Sequence, residues 1–231
     1  MKKLLAIILL LLMIFVGMYV YRYNSSKNTV NVSDVNQIQD YLSKIYMWKE
    51  VTGEALPKFD NINDAPDLWV WEVVKRNLED TTFTYDQIQN EANALYGKNF
   101  KKEFPKEGTD YLKYDDQTGK YVSTNIELDA KQDTFLINTI KKNGKKFEVE
   151  IVEYVEDNEE GNVKFDPNSF DSEIEYNVYI KNLNDEIIGS RKSNEDKEMS
   201  IDIVKQNMDK FSKKTLTLVK DNEKLYIQKV Q

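Results

Sequence analysis

The spacing of apolar side chains changes once along this chain, at Gly97, and that change limits the folds open to it. Before Gly97, Val35, Ile38, Tyr41, Leu42, Ile45 and Trp48 recur at steps of three and four, which places them on one stripe of an amphipathic helix. Leu68, Trp71, Val74 and Leu78 repeat the pattern after Asp64-Ala65-Pro66, and Ile88, Ala92 and Leu95 repeat it between Thr84 and Gly97. Beyond Gly97 the step is two: Ile174, Tyr176, Val178 and Ile180 alternate with polar neighbours, as in a half-buried strand. Three helices followed by about six or seven antiparallel strands define an α+β chain, with its helices packed on one face of a β-meander.

Local chemistry marks the element ends. Ser33 is the expected cap of the first helix and Gly53 its stop, and proline at position 66 suits the first turn of the second, where its missing N–H costs least. Thr84 and Gln87 form a capping box for the third helix, and Phe83 before the cap can pack on Ile88 as a hydrophobic staple. Tyr111–Tyr114 and Tyr121-Val122 flank a polar loop as one hairpin. Thr134–Lys142 and Lys145–Glu156 form a second, joined by Asn143-Gly144, the favoured pair for a type I′ turn because both central residues need positive φ. That turn pairs Ile140 with Phe147, Asn138 with Val149 and Leu136 with Ile151 on the buried face, leaving Ile137, Thr139, Glu148 and Glu150 on the other. Downstream, residues 157–172 read as a loop, Glu186–Ser190 as the return partner of the 174–181 strand, Ser200–Phe211 as a short helix, and Thr215–Leu218 with Leu225–Ile227 as a closing hairpin around Asp221-Asn222.

The other decisive stretch is Leu4–Tyr21, an apolar run without a charge that follows Lys2 and Lys3. About twenty apolar residues at ~1.5 Å each cross the ~30 Å hydrocarbon core as a helix, so the run suffices to span. A cleaved signal peptide is the alternative; its apolar region is usually about 7–15 residues long and ends at a small-x-small site, whereas Phe15-Val16-Gly17 presents a bulky residue. The reading adopted is an anchor over residues 1–22, a polar linker over 23–32 and one extracytoplasmic domain over 33–231, held in the cell membrane by a single pass through residues 4–21. The basic start favours keeping the amino terminus in the cytoplasm.

Composition removes most chemistries. There is no His and no Cys, so Ser-His-Asp and Cys-His catalysis, disulfides and a lipid-modified cysteine are impossible. All 40 acidic residues but only 30 of the 32 basic ones follow the run, so the domain carries a net charge of −10, which repels phosphate backbones and argues against a nucleic-acid partner. No cofactor motif and no metal-ligand spacing is present: neither acidic stretch, Asp60–Asp64 or Asp157–Asn162, matches the calcium-loop spacing with its glycine at position six and terminal glutamate. Carboxylate pairs are too numerous for any one to stand out. In Trp69-Val70-Trp71, Trp71 lies on the apolar stripe and reads as core, whereas Trp69 lies off it and is the one candidate for a surface that stacks on a ligand or partner.

The basic and apolar start, the helices followed by an antiparallel meander, and the ending KKTLTLVKDNEKLYIQKV resemble membrane-anchored extracytoplasmic proteins of Gram-positive bacteria with an NTF2-like or cystatin-like fold. The resemblance implies a scaffold and no site residue. The expected function is a non-catalytic binding or structural domain tethered to the cell envelope, with an unidentified protein or small molecule as partner. An accessory subunit of a secretion or conjugation machine, or a carboxylate-dependent glycan hydrolase, are the alternatives.

Overall fold

The computed structural model describes residues 28–124, 131–159 and 176–231, and over these the chain is α+β. The apolar run and the first half of the linker lie outside the described residues, as do Ile174 and most of the 157–172 loop. Among the described residues no helix is long and apolar enough to cross a membrane.

Helix α1 spans Val32–Ile45 and buries Ile38, Tyr41, Leu42 and Ile45, while Val35 at the start of the expected stripe stays exposed. Its cap is Asn31 rather than Ser33. The Asn31 side chain accepts from the Asp34 N–H (2.8 Å) and the Asp34 carboxylate accepts from the Asn31 N–H (3.3 Å), a reciprocal box that satisfies two N–H groups at the helix start. The helix stops at Tyr46, seven residues before Gly53. Tyr46–Trp48 runs extended, and Lys49–Thr52 forms a separate single turn, α2, that ends at Gly53. A short 3-10 turn at Ile62–Asp64 precedes α3, Asp67–Asn77, with Pro66 at its cap position. Strand β1 (Thr82–Phe83) then leads into α4, Tyr85–Tyr96, which carries the expected Thr84–Gln87 box and stops at Gly97. A side chain at residue 97 would strike the Tyr226 ring, since a Cβ there would lie 2.8 Å from it, and φ is +83°. Glycine meets both demands.

Strands β2 (Leu112–Asp115) and β3 (Lys120–Ser123) pair as expected, and β1 adds to β3 to complete a small antiparallel sheet in the order β1-β3-β2. The large sheet is built around β4 (Lys131–Asn143) and β5 (Lys146–Glu159). One edge of β5 pairs with β4. The other is divided: residues 146–153 pair with β8 (Ser212–Asp221), and residues 155–159 pair with β6 (Asn177–Lys181). Outside these lie β7 (Ile187–Lys192), against β6, and β9 (Lys224–Val230), against β8; α5 (Glu198–Gln206) bridges β7 to β8 in sequence.

The register of the β4–β5 hairpin departs from expectation in two places. The turn centres on Gly144-Lys145 instead of Asn143-Gly144: only Gly144 has positive φ (+60°), the arrangement of a type II′ turn, and Asn143 pairs with Lys146. Ile140 therefore opposes Val149, and Lys142 opposes Phe147. Because every partner moves by two residues, the faces near the turn survive, and Phe147, Val149 and Ile151 are buried as expected. Further along, a bulge at Asn138 inserts one extra residue, so that Ile137 opposes Ile151 and Leu136 opposes Val152. Upstream of the bulge the faces of β4 are exchanged. Ile137 turns to the main core and Leu136, expected there, packs on the opposite side.

That opposite side is not wet. The main core joins α1, α3, α4 and the small sheet to one face of β5, β8 and β9. Beneath the sheet a second cluster forms from Val152, Tyr154, Val178, Ile180, Val204 and Phe211, covered by α5. Residues 151–155 of β5 are consequently buried on both faces. The chain end closes the structure: Phe59 and Val230 exchange both backbone hydrogen bonds (3.0 and 2.9 Å), and Thr215 does the same with Gln231 (3.1 and 3.0 Å).

Candidate functional site

Trp69 is not at the surface. It is 0 % exposed, its indole N–H donates to the Ala55 carbonyl (3.1 Å), and it lies between Phe59 and Tyr96 at ring separations of 5.8 and 6.0 Å. Leu68, expected on the buried stripe, is instead 41 % exposed. Helix α3 is enclosed on most sides, by α1, α4 and the 55–62 segment, so its buried residues run continuously from Trp69 to Val74 and a single-stripe reading misassigns its edges. Trp71 is core, edge-on to Phe104 at 5.2 Å.

The acidic stretch Asp60–Asp64 is a turn held by its own side chains: Asn61 accepts from the Asn63 N–H, Asn63 binds the Asn99 carbonyl, and Asp60 pairs with Lys229 at 2.6 Å. Asp157 of the second stretch belongs to β5 and pairs with buried Lys181 (2.6 Å); residues 160–162 lie outside the described residues. Among the described residues no group of three or more His, Cys, Asp or Glu side chains is arranged to hold a metal ion.

Several clefts open among the described residues. One, about 570 Å³, runs between Asp60, Lys98, Lys220 and Tyr226. Most of its charges are spoken for: Lys98 pairs with Asp221 (3.1 Å), Lys220 with Glu223 (3.0 Å), and Asp60 with Lys229. The second, about 420 Å³, opens beside α2 and the β6–β7 loop and reaches down to the sheet. A buried charged cluster forms its floor, which makes it the candidate site.

The cluster is assembled by the main-core faces of two strands. On β5, Glu153 follows Phe147, Val149 and Ile151 at two-residue steps, so its carboxylate points where they point; on β8, Lys214 precedes Leu216 and Leu218 in the same way. Glu153 is 1 % exposed. Lys214 Nζ lies 3.2 Å from Glu153 Oε2 and 3.5 Å from Glu54 Oε2, and donates to the Leu56 carbonyl at 2.5 Å. Tyr46 Oη lies 3.2 Å from both Glu153 Oε1 and the Thr134 carbonyl. The extended step after α1 is what delivers Tyr46 to this point. Near it, the Asp133 carboxylate accepts from the Lys49 N–H (2.6 Å) at the start of α2.

The electrostatics follow from burial. Loss of water pushes the Glu153 carboxyl above the usual carboxylate range, opposed by the Lys214 ammonium and the Tyr46 hydroxyl. Burial also raises the Tyr46 hydroxyl, and the Glu153 charge raises it further. Glu153 Oε2 is closed to solvent and faces the Lys214 ammonium at 3.2 Å, which is the contact that compensates its charge. At the mouth stand exposed Lys49 and Lys58 with Glu54, 59 % exposed; Lys213 also lines the cleft, but it opposes Val152 of the second core and so steps to the other face of the sheet. Lys58 and Lys213 make no ion pair among the described residues.

None of these residues was singled out from the sequence, although one signal for them was present. A carboxylate at position 153 and an ammonium at position 214 both occupy inward steps of otherwise apolar alternations, and buried charges in such positions require partners.

A second isolated acid lies away from the clefts. Glu72 on α3 is fully buried; Thr109 donates to its Oε1 at 3.4 Å and its Oε2 has no partner. The chain matches no protein-family model, no curated protein and no solved structure.

Proposed function

We propose that this chain is a membrane-tethered cell-envelope protein whose folded part binds a ligand in the Glu153–Lys214 cleft and does not transform it. Tethering rests on the charge-free run Leu4–Tyr21 behind Lys2 and Lys3, with the folded part outside the cell membrane. The order of helices followed by an antiparallel sheet is compatible with an NTF2-like or cystatin-like scaffold, and such a scaffold leaves function to the site it carries.

The observation that carries the binding reading is that the cleft's buried acid already has its cation. A glycan hydrolase needs two carboxyl groups facing each other across the scissile bond, about 5–5.5 Å apart for retention or about 6.5–9.5 Å for inversion. Here Lys214 stands between Glu153 and Glu54, filling the space a sugar would need. Of the other buried acids among the described residues, Asp34 and Asp157 are paired with Lys142 and Lys181, and Glu72 does not line this cleft. The experiment is a thermal-shift screen of the detergent-solubilised full chain against small envelope components, run beside hydrolysis assays on envelope polymers. A saturable shift without turnover is expected. Turnover that disappears in both Glu153→Gln and Glu54→Gln would replace binding by catalysis.

A further inference from the structure

We infer that the turn of the β4–β5 hairpin faces the bilayer and that its lysines bind anionic lipid headgroups, so that the folded part stands on the membrane in one orientation. The inference rests on the tethering reading above and adds to it a second, peripheral contact. It starts from where the described chain begins. The Asn28 side chain accepts from the Gly144 N–H at 3.2 Å, which fastens the amino end of the folded part to the hairpin turn. Asn28 comes seven residues after Tyr21, the last residue of the charge-free run. A chain reaches at most about 3.5 Å per residue, so whatever its path, the turn lies within about 25 Å of the end of that run. The start of α1 is held at the same place, since Asp34 pairs with Lys142 at 2.6 Å.

The turn reads Lys141-Lys142-Asn143-Gly144-Lys145-Lys146, and no other six-residue stretch of the chain holds four basic residues. Lys141 and Lys142 are matched by Glu148 and Asp34. The adjacent β8–β9 turn is balanced in the same way, Asp221 by Lys98 and Glu223 by Lys220. Lys145 and Lys146 are exposed and make no ion pair among the described residues, so they carry the excess positive charge of this end. Beside them Val32, 76 % exposed, and Val35 form an uncharged apolar spot on the first turn of α1, able to enter the headgroup boundary. The domain as a whole carries a net charge of −10, so an anionic surface repels the rest of it and attracts this end. That opposition selects one orientation: a dipolar body on a short tether turns its positive end to a negative plane. The tether also keeps the local concentration high, so two free lysines suffice where they would not for an untethered protein. Seven residues along β5 separate Lys146 from Glu153, about 23 Å at ~3.3 Å each, which lifts the Glu153–Lys214 cleft clear of the bilayer.

The chain has no cysteine, so a single introduced one takes a label cleanly. The test places a fluorescent donor on Asn143→Cys, at the turn, or on Asn184→Cys, an exposed position of the β6–β7 loop beside the cleft. The full chain is reconstituted into nanodiscs that carry a headgroup acceptor, made of phosphatidylcholine alone or with phosphatidylglycerol added. Phosphatidylglycerol should raise energy transfer from residue 143 at least twofold and should not raise that from residue 184. The gain should shrink as salt rises from about 0.1 M to about 1 M, where the screening length falls from about 10 Å to about 3 Å. Lys145→Glu combined with Lys146→Glu, both at exposed positions, should abolish the gain and leave transfer in the neutral discs unchanged. No gain at residue 143, an equal gain at both positions, or a gain that survives the charge reversal would overturn the lipid contact. Extraction with alkaline carbonate tests the tether separately: a chain that stays with the membrane and shows no gain refutes the lipid contact alone, whereas a chain released by carbonate refutes the tethering reading on which it rests.

Discussion

Replacing Glu72 with Gln should stabilise the protein at alkaline pH and leave it nearly unchanged in acid. The side chain is fully buried on α3, with one weak hydrogen bond from Thr109 and one oxygen without a partner. Burial pushes its carboxyl up to about 7, and the Lys75 ammonium one turn along only partly opposes this. Lys75 is itself engaged elsewhere, donating to the Thr124 carbonyl (2.7 Å) and lying over the Tyr111 ring. In the unfolded chain the same group titrates near its ordinary value of 4.5. Between these two values the folded protein holds a proton that the unfolded chain has released. The contribution of this residue is thus greatest below pH 4.5, declines through the window, and is fully lost above pH 7. The span from 4.5 to about 7 corresponds to about 3 kcal/mol. Glutamine keeps the shape and the Thr109 contact and cannot ionise. Thermal melts followed by circular dichroism from pH 4.5 to 8.5 should therefore diverge with rising pH, the variant gaining roughly 6–12 °C at pH 8 for a domain of this size. Because Glu153 and Glu91 also have raised values in both proteins, the difference between the two curves isolates Glu72. Parallel curves would refute the argument and imply that water or a cation reaches the carboxylate.

Five further substitutions test the packing. Phe147→Ala removes a large side chain from the main core and should cost about 3–5 kcal/mol in urea melts, whereas exposed Glu148→Ala should stay within about 0.5 kcal/mol; equal effects would mean that the faces of β5 are exchanged. Gly144→Ala should cost about 1–2 kcal/mol because of its positive φ, and Asn143→Ala little; comparable losses at both positions would restore the type I′ turn. Lys214→Met leaves Glu153 buried without its cation and should cost about 3–5 kcal/mol at pH 7, with part of the loss recovered toward pH 5 as Glu153 takes up a proton. A loss independent of pH would show that packing, not charge, is at stake.

Elements whose signal is local were legible in the sequence. The Thr84–Gln87 box and Gly97 delimit α4 as read, because both ends are encoded within one turn of the helix. Asn143-Gly144 announced a hairpin but not its centre: a two-residue turn at Gly144-Lys145 needs positive φ only at the glycine and satisfies the same sequence. The bulge at Asn138 had no signal, since it is supported from the partner strand, where Glu150 accepts from the Asn138 amide. Its consequence, Leu136 in the second core, was equally hidden. Trp69 was misread because periodicity presumes one buried stripe, and α3 is enclosed by elements distant in the chain. The site was half legible. Inward parity marks Glu153 and Lys214, but Tyr46 reaches them only because α1 breaks where no glycine or proline stands.

The pairing of Phe59 with Val230 sets a timetable for folding. A chain that emerges amino end first presents α1 to α4 long before the strands that cover them, and Phe59 keeps its backbone groups open across all that time. The β4–β5 hairpin closes locally, but β5 then waits more than fifty residues for β8, and β9 follows last. Pairings so distant in sequence form slowly. Until they form, the helical side of the main core is exposed to proteases and to other unfinished copies, so the interval between the synthesis of α4 and that of β9 is the one in which this protein is most vulnerable.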